Sequence, residues 1–271
     1  MIKNLDKEGL KTVVLNYDLF FIDIWGVVHN GIQLYKQAIE VLAKLEENKK
    51  EFVLLTNAPR PNKTVIEFLK KMGLESYHQN VFTSGEAALR HLRKNLYSKK
   101  FYHVGPPRDF DLFSTFKNQK VEELKLADYI LCTGLFDSYE DDLNYYKNLF
   151  QNHTSKKMIC TNPDLIVDRG EIRELCAGSV AKVFEDLNGE VIYFGKPYPP
   201  VYELSAKVKN RKVLCIGDNL NTDIKGANIQ NFDSLLISGG IHRNEISDKN
   251  LKNLIKSHEV KIDYIQTQLR W

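Results

Sequence analysis

Leu19-Phe20-Phe21-Ile22-Asp23 is four apolar residues closed by a carboxylate, and Ile24-Trp25-Gly26-Val27-Val28 follows at once. A short apolar run bounded by a polar residue and a glycine reads as a strand buried on both faces, the kind found in parallel sheets. Such sheets hold ligands beyond the carboxyl ends of their strands. Asp23 therefore stands where a functional group belongs, and the rest of the chain decides whether it has company.

Working outward, a helical stretch with Ile39, Leu42 and Leu45 on one face leads to a second strand, Phe52-Val53-Leu54-Leu55-Thr56. Pro61 suits the start of the next helix and Gly73 its end. Thr83-Ser84-Gly85-Glu86 has the spacing of a capping box opening another helix, and also suits a hinge. Further strands are expected over residues 101–104, 129–133, 157–161, 191–194 and 212–216, and 234–237 is expected to be the last. Helices are expected near Ser138, over 179–187 and from Pro200. Strands alternating with amphipathic helices predict an α/β protein with a doubly wound parallel sheet. The middle of the chain carries strands and helices of its own. The expected division is a core domain of residues 1–83 and 189–271, with an inserted α/β cap domain over 84–188.

The composition narrows the partners. Hydrophobic residues make up 43% of the 271, enough for a full core. Charged residues make up 27% and nearly cancel, leaving +3, which argues against a nucleic-acid surface. The pairs Lys49-Lys50 and Lys99-Lys100 are short, sit beside acids, and read as solvated faces. Cys132, Cys160, Cys176 and Cys215 lack metal-ligand spacing and read as small core residues in a reducing compartment. No apolar run approaches the roughly 20 residues that cross a bilayer. Met1 to Leu15 is mixed in charge rather than a leader, so a soluble cytoplasmic protein is expected. The tyrosines, Tyr145-Tyr146 among them, read as packing or interface residues, and Gly105-Pro106-Pro107-Arg108 as a rigid loop.

Four polar groups fall at or just after strand ends: Asp23, Thr56-Asn57, Lys196 after Tyr193-Phe194-Gly195, and Asp218 after Gly217. Each residue type has a chemical use. A carboxylate can attack phosphorus and divide one hard displacement into two easier ones. Two carboxylates with waters and substrate oxygens suit Mg²⁺. A hydroxyl, an amide and an ammonium can hold phosphate oxygens and offset growing charge. Gly26 and Gly217 are expected to let backbone approach the ligand.

These motifs, Asp23-Ile24-Trp25-Gly26-Val27-Val28, Leu55-Thr56-Asn57, Gly195-Lys196-Pro197 and Gly217-Asp218-Asn219-Leu220-Asn221-Thr222-Asp223, occur in this order. Together they resemble the haloacid dehalogenase-like (HAD) hydrolase superfamily, whose core is Rossmann-like. An insertion between the second and third motifs, with Asn162-Pro163-Asp164 inside it, resembles the capped class IIA subgroup of nitrophenyl-phosphatase-like and sugar-phosphatase-like members. The resemblance implies a Mg²⁺-dependent phosphatase acting on a small phosphorylated metabolite through an aspartyl-phosphate intermediate. It implies Asp23 as nucleophile and metal ligand, the backbone carbonyl of Trp25 and the side chain of Asp218 as further ligands, and Asp223 supporting the metal. Thr56 and Lys196 would bind phosphate, with Asn57 and Asn162 shaping the pocket. The cap would cover the site and choose the substrate, and a homodimer paired through the cap fits the subgroup.

Trp25 departs from that pattern. Phosphatases of this family carry there a second aspartate that protonates the leaving oxygen, which tryptophan cannot do. Three readings remain. The first is a phosphatase without that acid, in which case His29 is a candidate substitute and aryl phosphates should outpace alkyl ones; losing acid–base help costs ~10²–10⁴-fold. Trp25→Asp should then raise the rate on alkyl phosphates. The second reading is a haloacid dehalogenase using the same Asp23, since a departing halide needs no proton. The third is a phosphometabolite-binding protein with little turnover.

Overall fold

Two units, each built on its own parallel sheet, make up the computed structural model, which describes residues 2–169, 172–247 and 250–271. In chain order the elements are β1 (Lys3–Asn4), β2 (Leu19–Ile22), α1 (Lys36–Glu47), β3 (Glu51–Thr56), α2 (Asn62–Lys71), β4 (Val81–Thr83), α3 (Ser84–Asn95) and β5 (Phe101–Val104). Then follow β6 (Tyr129–Cys132), α4 (Leu143–Phe150), β7 (Lys157–Cys160), β8 (Ile166–Arg169), β9 (Ile172–Leu175), α5 (Ala177–Asp186) and β10 (Glu190–Tyr193). The chain closes with α6 (Pro199–Ser205), β11 (Val213–Gly217), α7 (Lys225–Gln230), β12 (Asp233–Ile237), α8 (Leu251–Ser257) and β13 (Tyr264–Gln266).

The first unit comprises Met1–Thr56, Phe68–Phe82 and Lys196–Trp271. Its seven strands lie in the order β1-β13-β12-β11-β2-β3-β4. β2 pairs in parallel with β3 on one side, Ile22 opposite Leu54, and with β11 on the other, Ile216 opposite Ile22. From β2 the chain runs outward to β3 and β4, then returns to build β11, β12 and β13 on the opposite side. β2 is thus where the order of strands reverses, the position at which open α/β sheets form a crevice. All four residues of β2 are buried, as a strand covered on both faces requires. In α1, Ala38, Val41, Leu42 and Leu45 form the buried stripe, with Ile39 half-buried at its edge. On one part of the sheet Leu220, Ile224, Leu236, Leu254, Val260 and Ile262 pack together. Elsewhere the ring of Tyr202 meets Phe21 edge-on at 5.2 Å.

The second unit comprises Asn57–Glu67 and Thr83–Gly195. Its sheet runs β10-β7-β6-β5, all parallel, with Val104, Cys132 and Cys160 in lateral register. Ile130, Met158, Tyr146, Phe150, Val180 and Phe184 fill its core beside α4 and α5. The antiparallel hairpin β8–β9 stands apart from both sheets.

The α/β class and the parallel sheet agree with expectation, and several details do not. Residues 234–237 are not the last strand: β13 follows, and with β1 it extends the sheet beyond β12. These edge strands have two or three residues, too short for a pattern in sequence. Near Ser138 there is a single 3₁₀ turn over Asp137–Tyr139; the helix starts at Leu143, where Asp142 accepts from the Tyr145 amide at 3.1 Å. The capping box at Thr83 is half made. Thr83 Oγ1 accepts from the Glu86 amide at 2.9 Å, but the Thr83 amide donates to Asn62 Oδ1 at 3.0 Å, and Glu86 pairs with Arg90.

Candidate active site

The end of β2 decides the chemistry of the first unit. The Asp23 amide continues the ladder by donating to the Ile216 carbonyl at 2.8 Å, so Asp23 lies level with the Gly217-Asp218 end of β11. Asp218 then leads into a single π-helical turn over Leu220–Ile224, a form that recurs at functional sites, and this turn brings Asp223 back to the strand end. Lys196 Nζ donates to Asp23 Oδ1 and to Asp223 Oδ1, both at 2.6 Å. Asp23, Asp218 and Asp223 each offer an oxygen within 4.8 Å of the others, and all three are buried. Thr56, also buried, ends β3 beside β2.

Two of the carboxylates are held by backbone. Asp218 Oδ2 accepts from the Ile241 amide at 2.8 Å, and Asp223 Oδ2 from the Asn219 amide at 3.1 Å. Gly26 and Gly217 sit against these carboxylates. A Cβ on Gly26 would lie 2.1 Å from Asp218 Oδ2, and one on Gly217 would lie 2.0 Å from Asp223 Cγ. They make room for the carboxylates, and Gly26, at φ +82°, also needs the left-handed backbone.

Three buried carboxylates thus concentrate negative charge in one pocket, and Lys196 bonds two of them. Burial is the largest influence on Asp23 and raises its pKa well above the usual carboxylate range; Asp223 and Asp218 push the same way, against Lys196. A divalent cation would balance that charge. The donor set, hard oxygens at close spacing, fits Mg²⁺.

The expected site residues are drawn from both units. Asp23, Trp25, Thr56, Lys196, Asp218 and Asp223 belong to the first unit, Asn57 and Asn162 to the second. In the second unit Asn57 Nδ2 donates to Asp164 Oδ1 at 3.1 Å, and Asn162 Oδ1 accepts from the Asp164 amide at 2.9 Å. Gly195 packs against the same corner, since a Cβ there would lie 2.6 Å from Pro163.

His29 is not offered as an acid. It is 2% exposed, its Nδ1 accepts from the Gly31 amide at 2.8 Å, and burial lowers its pKa to about 4. Its ring packs between Trp25 at 5.0 Å and Phe68 at 5.7 Å. Position six residues beyond Asp23 gave no sign of this packing. Tyr202 escaped notice altogether. It lies in α6 without a motif, yet with Asp23, Lys196 and Asp223 it lines one small cavity.

Comparison with known proteins supplies the family. Residues 20–117 match the profile described as haloacid dehalogenase-like hydrolase, and residues 193–266 match one described as HAD-hydrolase-like; together they span more than half of the chain. The crystal structure of a haloacid dehalogenase-like family hydrolase from Brucella suis is 33% identical, with a TM-score of 0.79, covering 87% of this chain and 94% of that one. The chain belongs to the haloacid dehalogenase-like hydrolase family. Among curated relatives, the 5′-nucleotidase YutF of Bacillus subtilis is 24% identical over 245 residues, 84% of this chain and 90% of its own. The D-glycerol 3-phosphate phosphatase of Mycobacterium tuberculosis is 25% identical over 247 residues, 86% of this chain and 66% of its own. The family's four motifs lie where the sequence placed them along the chain, and three of them contribute to the buried charge cluster. Among the described residues no helix is long and apolar enough to cross a membrane.

Proposed function

We propose that the chain is a Mg²⁺-dependent phosphatase of small phosphate esters, with Asp23 as nucleophile. The observation that carries this reading is the bridge of Lys196 between Asp23 and Asp223 inside an acidic, buried pocket at the reversal point of the sheet. The two curated relatives, one named a 5′-nucleotidase and the other a phosphatase, support phosphoric monoester chemistry over dehalogenation.

An Asp23 oxygen attacks phosphorus, the bond from phosphorus to the ester oxygen breaks with its electron pair leaving on that oxygen, and an aspartyl phosphate forms. Water then attacks the same phosphorus, releasing inorganic phosphate and restoring the carboxylate. Lys196 holds Asp23 in place and offsets charge on the phosphoryl oxygens, aided by the Thr56 hydroxyl. Asp23, Asp218 and the Trp25 carbonyl would hold Mg²⁺, which supplies charge neutralisation at the phosphoryl group when bound. Both oxygens of Asp223 already accept from protein donors, Lys196 and the Asn219 amide, so Asp223 serves chiefly to position Lys196. The second unit takes the role of the family's cap and selects the substrate, with Asn57 and Asn162 shaping that selection.

Phosphate release from p-nitrophenyl phosphate tests the reading. Mg²⁺ should support it and a chelator abolish it. Asp23→Asn should lower it by about 10⁴-fold or more, the scale seen when a nucleophile is removed. Release that persists in Asp23→Asn would sink the assignment.

A further inference from the structure

We propose that Tyr202 is a positioning residue, whose hydroxyl is tied by one buried water to the carboxylates held by Lys196. Tyr202 is 1% exposed, and its hydroxyl has no hydrogen-bond partner among the described residues. A hydroxyl buried so completely normally finds a partner, because nothing else offsets its loss of water. The ring is fixed. Phe21 meets it edge-on at 5.2 Å with planes at 81°, and Phe232 at 6.1 Å with planes at 74°. Rotation to find a protein acceptor would break both contacts.

The hydroxyl also has a seat made for it. A Cβ on Gly226 would fall 2.0 Å from the Tyr202 oxygen, so glycine at 226 is what admits the phenol rather than a bare ring. Beside it lies a cavity of about 10 Å³ lined by Phe21, Asp23, Lys196, Tyr202, Cys215 and Asp223, among others. That volume is about what one water needs, and a water persists where two to four polar groups can bind it. Here Tyr202 and the carboxylates of Asp23 and Asp223 are on offer. Burial is the main cause raising the Tyr202 pKa, and Cys215, Asp223 and Asp23 add to it, consistent with a phenol that keeps its proton beside acids.

The water would donate to a carboxylate while accepting from Tyr202. Asp23 or Asp223 would then be fixed from beneath, on the side away from the sheet's end where substrate must arrive. Lys196 already restrains both carboxylates from one direction. A second restraint would keep the attacking oxygen in one place, where small displacements are costly to rate.

The kinetic half of this inference rests on the reading of Asp23 as nucleophile; the water itself does not. Tyr202→Phe keeps the ring and removes only the hydroxyl. A high-resolution crystal structure of the wild type should show a water within hydrogen-bond distance of Tyr202 and of Asp23 or Asp223, and the Tyr202→Phe crystal should lack it. In the phosphate-release assay kcat should fall about three- to tenfold, the range of one hydrogen bond, with KM unchanged. The variant's melting temperature should stay near wild type. A dry cavity in the wild type, or an unchanged kcat in Tyr202→Phe, would overturn the proposal. If the wild type shows no Asp23-dependent release, the phosphatase reading fails instead, and the crystal structures still decide whether the water exists.

Discussion

At the carboxyl ends of β2 and β11, three carboxylates lie close together, and two of them, Asp23 and Asp223, share one ammonium. At the carboxyl ends of β5 and β6, His103 Nε2 lies 2.8 Å from Thr133 Oγ1, Thr133 bonds Asp109, and Arg60 donates to Asp109 at 2.9 Å. A hydroxyl has one proton. If Thr133 gives its proton to Asp109, then His103 must donate through Nε2, so the chain has one consistent direction and each buried donor has a taker. Asp109 is 4% exposed, as deep as Lys196. The two units therefore use the same sheet edge in opposite ways. The second sets one cation against one buried carboxylate, and the first gathers three buried carboxylates at close spacing. Like charge gathered in a buried place costs stability and is what a site keeps for something it binds.

Opposite signs of stability change would sharpen that contrast most. Lys196→Ala leaves Asp23 and Asp223 buried without their shared cation, and should destabilise the first unit by about 3–5 kcal/mol. Asp218→Asn removes one repelling charge while an amide oxygen can still accept from the Ile241 amide. Without Mg²⁺ it should raise stability, by about 1 kcal/mol, and with Mg²⁺ the advantage should shrink as ligand binding to the wild type is lost. Urea melts with and without Mg²⁺ would show both. A destabilised Asp218→Asn in chelator would break the comparison, because it would mean that the first unit is balanced too.

Asp109→Ala is the matching change in the second unit. It strands Arg60 and Thr133 together, and should cost about 1–3 kcal/mol whether or not Mg²⁺ is present. Hydrogen exchange resolved along the chain would place the loss within Asn57–Glu67 and Thr83–Gly195. A loss that depends on Mg²⁺ would contradict the separation of the two polar sets.

Legibility in the sequence followed the same divide. Asp23, Lys196 and Asp218 could be read because each closes or follows an apolar strand, and sheet geometry sends such residues to one edge. Asn57 carried the same signal and Asn162 came only with the family resemblance; both bond Asp164 in the second unit, because the chain leaves the first sheet at Thr56. Asn62 was silent because its work, accepting from the Thr83 amide, spans 21 residues and replaces the partner that local spacing had assigned to Glu86. Tyr202 could not be found from pattern at all. Its meaning depends on Gly226 and on a cavity, and neither exists until the chain is folded.

The smallest expected effect concerns two histidines, one in each unit. Burial holds both His29 and His103 near pKa 4, with Lys120 adding a little for His103. An unfolded histidine takes its proton near pH 6.5. Between about pH 6.5 and pH 4 the unfolded chain therefore binds protons that the folded one refuses, and stability falls as pH falls. By pH 5.5 each histidine should have removed about 1 kcal/mol relative to pH 7.5. Asp23, raised instead of lowered, works with the opposite sign. The total slope is thus a poor readout, and the differences His29→Gln and His103→Gln against wild type isolate each ring. Each variant should flatten the acid limb of the stability curve, the first in the seven-stranded unit and the second in the four-stranded unit. Glutamine at 103 can still donate to Thr133 and gives up one ring contact, with Phe113 at 4.6 Å, whereas His29→Gln gives up two, with Trp25 and Phe68, and should start lower at pH 7.5. Equal losses at pH 7.5 would mean that the second unit's polar chain holds its histidine by packing alone.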